Sequence, residues 1–132
     1  MKLHTINIPP HACPRPRLNR RNGGVYYPKN YNMWRTRAKA ALKALDLEPI
    51  TDPLMPLFVR VDFTMKGIIS ALHVKKPDLD NLVKAFLDVL VDSGLIPDDK
   101  QICRITAIKE SCGAGSEESI SFGFGPVLAV HY

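Results

Sequence analysis

The 132-residue sequence has no paired cysteines: Cys13, Cys103 and Cys112 are odd in number and none makes a C-x-x-C step. That argues against a disulfide framework and a four-cysteine zinc site. No apolar run approaches the ~20 residues of a membrane-spanning helix, so no membrane association is expected. The first ten residues, Met1 to Pro10, put polar residues and prolines where a secretory leader needs a greasy stretch. The expected compartment is therefore the cytoplasm. Internal repeats are missing too. What is present is ordinary for a globular chain. With 45% hydrophobic and 23% charged residues, disorder is excluded. The length supports one real core and would cramp two, giving a single domain over residues 1–132.

Acidic residues are scarce in one half only. Residues 1–50 hold ten Lys/Arg against Asp46 and Glu48, a net +8, whereas residues 51–132 hold eight Lys/Arg against eleven acids, a net −3. Six aspartates (78, 80, 88, 92, 98 and 99) fall within 78–99 beside Lys84. A basic surface attracts phosphate backbones and releases their counterions. An aspartate cluster is repelled by the same phosphates unless a divalent cation sits between them. Together they point to a metal-dependent enzyme acting on nucleic acid. A basic protein with a solvated acidic helix satisfies the charge pattern equally well.

Periodicity predicts an α+β fold, a mixed sheet with two main helices. Residues 2–8 read as an edge strand ended by Pro9-Pro10. Residues 9–30 read as a long irregular loop, rich in proline and arginine, with a turn at Asn22-Gly23-Gly24. Trp34, Ala38, Ala41, Leu42 and Leu45 repeat at helical spacing, placing a helix over 30–47. Residues 57–65 alternate as a half-buried strand. A second helix runs from Asp78 or Leu79 to Ser93 and is stopped by Gly94. Its apolar stripe is Leu79, Leu82, Val83, Phe86, Leu87 and Leu90, with Asp80, Lys84, Asp88 and Asp92 on the other side. A third strand begins near Ile102 and ends near Glu110, and a last one is placed over 120–132.

The chemistry concentrates in Lys75-Lys76-Pro77-Asp78-Leu79-Asp80-Asn81-Leu82-x-Lys84, with Asp98-Asp99 following. Magnesium prefers oxygen ligands and keeps part of its water, so two or three carboxylates plus substrate oxygens suffice. Asp78 at the helix entrance and Asp80 in its first turn can aim at one point, and Lys84 lies one turn beyond Asp80. Asp99 returns to them only if the chain folds back over the site, for example with strand 101–109 lying beside strand 57–65. For either aspartate alone, a helix N-cap worth ~1 kcal/mol accounts for its presence. Arg15, Arg17, Arg20, Arg21, Lys75 and Lys76 are candidate phosphate grips; any one of them is explained as well by simple solvation.

Other motifs fail. An EF-hand needs an oxygen ligand and a glycine where Leu82 and Val83 stand. Gly113-Ala-Gly115 lacks the third glycine and the strand-to-helix setting of a dinucleotide site. Pro77-Asp78 with Asp98-Asp99-Lys100 spells a restriction-type P-D…D-x-K, but that fold needs both halves on strands and 79–93 reads as helix. His4, His11, His73 and His131 are scattered singly and read as structural or solvent-facing.

The run from Asp78 to Leu90, then Gly94-Leu95-x-x-Asp98-Asp99-x-Gln101-Ile102, resembles the RusA family of Holliday-junction endonucleases. Pro14-Arg15-Pro16-Arg17 with Tyr26-x-Pro28-x-x-Tyr31-x-x-Trp34 resembles its phage-type members. The resemblance covers about residues 3–110. It implies that Asp78, Asp80 and Asp99 are the essential metal-binding carboxylates and Lys84 the catalytic lysine. It further implies a homodimer that cuts branched DNA, four-way junctions above all, with Mg²⁺ (or Mn²⁺) and no organic cofactor, in recombination and repair. The alternatives are a non-catalytic protein that binds branched DNA with the basic half alone, and an interaction module whose arginines bind an acidic protein partner.

Overall fold

The stripes and alternations become helices and strands in the computed structural model, which describes residues 2–67, 76–113 and 115–127. In chain order they are β1 (His4–Ile6), β2 (Arg17–Leu18), β3 (Val25–Tyr26), α1 (Lys29–Ala44) and β4 (Leu57–Lys66). Then follow α2 (Leu79–Asp92), a 3-10 turn (Asp99–Gln101), β5 (Ile102–Cys112) and β6 (Ser119–Pro126).

The alternation of β4 makes it a strand buried on one side: Leu57, Val59, Val61, Phe63 and Met65 are buried and the residues between them half-buried. It has neighbours on both edges, in the sheet order β1-β6-β4-β5. β6 runs antiparallel to it, with Val61 opposite Phe122 and Phe63 opposite Ile120. β5 runs parallel, with Val59 opposite Ile105 and Phe63 opposite Lys109. Parallel neighbours need a long crossover, and α2 lies within it. β1 closes the other edge against β6. The sheet is therefore mixed, and with its two helices the domain is α+β.

One core forms between the sheet and both helices. Tyr31, Trp34, Ala38 and Leu42 enter it from α1, and Leu82, Ala85, Phe86, Val89 and Leu90 from α2. The Phe86 ring stands edge-on to Phe63 at 6.3 Å and lies 5.2 Å from Phe122, pinning α2 to the sheet. The Trp34 indole donates to the Pro9 carbonyl at 2.7 Å, so the burial leaves its N–H satisfied. Gly94 ends α2 as expected. At φ +82° it lets its own amide reach the Val91 carbonyl and the Leu95 amide reach Leu90, the paired bonds of a Schellman motif.

Three expectations shift. Residues 9–30 are not wholly irregular: β2 and β3 pair as a short two-stranded ribbon, Arg17 opposite Tyr26 and Leu18 opposite Val25. Helix α1 stops at Ala44, where Leu45 and Asp46 tighten the chain toward Leu42 and Lys43. β5 continues to Cys112 because its pairing with β4 persists through Lys66. The last strand lies over Ser119–Pro126, and the rest of that expectation, from 128 onward, falls outside the described residues, as do His73 and Lys75. Among the described residues, no helix is long and apolar enough to cross a membrane. All three cysteines are free.

Candidate functional site

The first turn of α2 is held from two directions. From the sheet, Lys109 on the helix-facing side of β5 donates from Nζ to the Pro77 carbonyl at 2.8 Å. From the amino-terminal segment, the Cys13 amide donates to the Asn81 carbonyl at 3.0 Å. Asp78 and Asp80 are thus fixed in place while both remain exposed. Asp78 occupies the N-cap position, yet its side chain accepts no capping bond. The structural role that explains most N-cap aspartates is left unused here. Asp80 Oδ1 accepts the Asn81 amide at 2.9 Å, which orients the carboxylate at the positive end of the helix dipole. Lys84 is exposed one turn further on.

The Cys13–Asn81 bond has a second effect. Pro14, Arg15 and the β2–β3 ribbon leave the body of the protein directly beside the acidic turn. Arg15, Arg17, Arg20 and Arg21 are all exposed, as is Lys76. Net charge of opposite sign therefore meets at one turn of helix.

Asp99 is brought to the same helix, but to its C-terminal half. A groove lined by Tyr27, Arg35, Asp88, Asp92, Asp98 and Asp99 runs along α2. Burial pushes the half-buried Asp88 carboxyl above its ordinary value; Lys84 opposes that push, Asp99 and Asp92 add to it, and Arg35 opposes it. Asp88 is eight residues past Asp80, about 12 Å along the helix axis. Arg35 pairs with Asp92 and lies over the rings of Tyr31 and Tyr27, 5.7 and 6.0 Å from their centroids. That pairing raises the Arg35 pKa further.

Asp98 does different work from its neighbour. Its Oδ1 accepts the Lys100 amide at 2.9 Å, and the Gln101 side chain accepts the Asp98 amide at 3.1 Å, a reciprocal capping box. The backbone bond from Lys100 holds the Asp98 carboxyl below the usual range. Gln101, buried, also donates to the Asp52 and Met55 carbonyls at 2.8 and 3.1 Å. The turn carrying Asp99 is therefore clamped to the connector before β4.

The donor chemistry suits a hard cation: exposed carboxylates at Asp78 and Asp80 fit magnesium, which takes one or two of them alongside water and phosphate oxygens. Among the described residues, no three His, Cys, Asp or Glu side chains gather closely enough to hold an ion. Sequence reasoning singled out Asp78, Asp80, Lys84 and Asp99 but gave no role to Asp88, although its place two turns beyond Asp80, one beyond Lys84, put it on the same face. It also missed Arg35, Gln101 and Lys109, whose partners lie far away in sequence.

No curated protein matches the chain. The family model described as Endodeoxyribonuclease RusA matches residues 7–116 of the 132. That span contains the ribbon, both helices, the acidic turn and all of β5. The chain belongs to the RusA endodeoxyribonuclease family, divalent-metal-dependent enzymes that resolve Holliday junctions.

Proposed function

We propose that this nuclease cuts four-way DNA junctions in pairs, as a cytoplasmic homodimer using Mg²⁺ or Mn²⁺, in recombination and repair. The observation that carries this reading is the fastening of the arginine ribbon onto the first turn of α2 through Cys13 and Asn81. A backbone gripped by Arg15, Arg17, Arg20 and Arg21 is delivered next to Asp78 and Asp80. Lys75 and Lys76, leading into the same turn, extend the grip.

Asp78 and Asp80 are the residues that would hold the divalent ion. When bound, the ion supplies Lewis-acid polarisation and a water of lowered pKa. The lysine at 84, one turn from Asp80, offsets charge that builds on the phosphate during attack. Asp99 is assigned as the third carboxylate on the family pattern alone; its electrostatic neighbour in this chain is Asp88. Paired incision of two strands needs two such sites, hence the dimer.

The test is Asp80→Asn with a labelled four-way junction. Binding is retained and cutting in Mg²⁺ is abolished, as it is for the unaltered protein in EDTA. Unchanged cutting, or lost binding with cutting retained, overturns the assignment.

A further inference from the structure

The β2–β3 ribbon exposes apolar side chains that the grip on phosphates does not need. Leu18 and Val25 are 65% and 68% exposed, and Tyr26 is 49% exposed. Directly opposed residues of an antiparallel pair share a face. Leu18 and Val25 therefore form an apolar face, and Arg17 with Tyr26 the opposite one. The tip between them is organised. Asn19 donates its amide to the Gly24 carbonyl at 2.7 Å and accepts the Gly23 amide at 2.9 Å. Its Oδ1 accepts the Arg21 amide at 2.9 Å, and Asn22 Oδ1 accepts the Gly24 amide at 2.8 Å. Gly23, at φ +71°, makes the turn possible. Arg20 and Arg21 are thus presented on a preordered loop, which lowers the entropy cost of engaging a partner.

The partner must offer phosphate and apolar surface together. Intact duplex hides its apolar surface, the base faces, within the stack. Those faces become accessible where stacking is interrupted, as at a branch. A second copy of the chain is a poorer match. A two-fold contact through this face sets the patch against itself, so the cationic tip with Arg20 and Arg21 would be brought against a like-charged copy. The root of the ribbon also lies against the acidic turn, so whatever the ribbon grips is presented to Asp78 and Asp80.

We propose that the β2–β3 ribbon is the branch-sensing element, with Leu18 and Val25 covering exposed base faces while Arg17, Arg20 and Arg21 hold the flanking phosphates. The inference rests on the junction-nuclease reading and names what selects the branch.

The experiment compares the full-length protein with Leu18→Ser/Val25→Ser, binding a four-way junction and a linear duplex of the same sequence in EDTA. A 2-aminopurine at the branch reports stacking. Expected is a fall of about tenfold or more in the junction-to-duplex affinity ratio, with duplex affinity unchanged, because covering two exposed aliphatic side chains removes enough apolar surface from water for that. The 2-aminopurine enhancement seen with the unaltered protein is lost, and Leu18→Met/Val25→Ile restores both. An unchanged ratio in a variant of a protein that still cuts junctions overturns this inference alone. If the unaltered protein neither prefers nor cuts junctions, the junction-nuclease reading falls with it. Conversion of a dimer to a monomer by the double substitution assigns the face to a second copy. Loss of binding to anionic vesicles with an unchanged ratio assigns it to a lipid surface. Either result overturns the proposal.

Discussion

Gln101 and Asp98 hold one another's turn closed: the Gln101 Oε1 accepts the Asp98 amide at 3.1 Å while the Asp98 carboxylate caps the turn from the other side. The same glutamine reaches back 49 residues to Asp52. The placement of Asp99 thus depends on a buried side chain. Gln101→Leu leaves the Asp52 and Met55 carbonyls without their buried donor and is expected to lose about 2–3 kcal/mol of stability. Denaturant unfolding reads that loss. Junction cleavage at a temperature where the variant is still folded is expected to fall more than junction binding.

The Asp88 carboxyl gives a pH signature. Its folded pKa is raised above the ordinary 3.8, so the folded chain binds the proton more tightly than the unfolded chain does. Stability from this group is present at low pH and is lost as pH rises from the ordinary value through the raised one. Asp88→Asn removes the ionised form. It is expected to raise the melting temperature at neutral pH, with the gain vanishing as pH falls below the ordinary carboxylate range. Thermal melts in EDTA from pH 3 to pH 8 check this; a gain that grows toward acid contradicts it.

The tip arginines are expected to act as sequence-blind charge. Arg20→Ala/Arg21→Ala should weaken binding to every DNA tried and lower the slope of log affinity against log salt by about 1.8. Titrations at several salt concentrations measure it. A slope that does not change removes these two residues from the phosphate contacts.

Gly94 is a purely conformational residue. A Cβ at this position meets nothing within 4 Å, yet φ is +82°. Gly94→Ala is expected to cost about 1 kcal/mol through backbone strain alone, with no repacking of the core. Chemical denaturation gives the value, and an unchanged near-ultraviolet spectrum shows the core undisturbed.

Where a segment buries one face, its sequence announced it. The alternation from Leu57 to Met65 and the stripe from Leu79 to Leu90 each carry that signature over several periods, and both elements lie where periodicity placed them. The ribbon was hidden because its strands are two residues long and bury neither face, so only the Asn22-Gly23-Gly24 turn signal was readable. The placement of Asp78 and Asp80 followed from the helix boundary. The position of Asp99 did not, because it depends on where β5 begins beside β4 and on the tie from Gln101 to the 52–55 connector. Tertiary hydrogen bonds of that kind leave no periodic trace.

The tie between Cys13 and Asn81 is made by peptide groups, not by side chains. Substitutions at the exposed Asn81, and small apolar ones at the buried Cys13, leave it intact, proline at 13 excepted, since only proline lacks the donor. Surface residues in this region can drift without dissociating the cationic handle from the carboxylate edge it serves. With the ribbon acting as proposed, such drift alters its reach and stickiness, so preference among DNA shapes is expected to change while the position of the cut stays put.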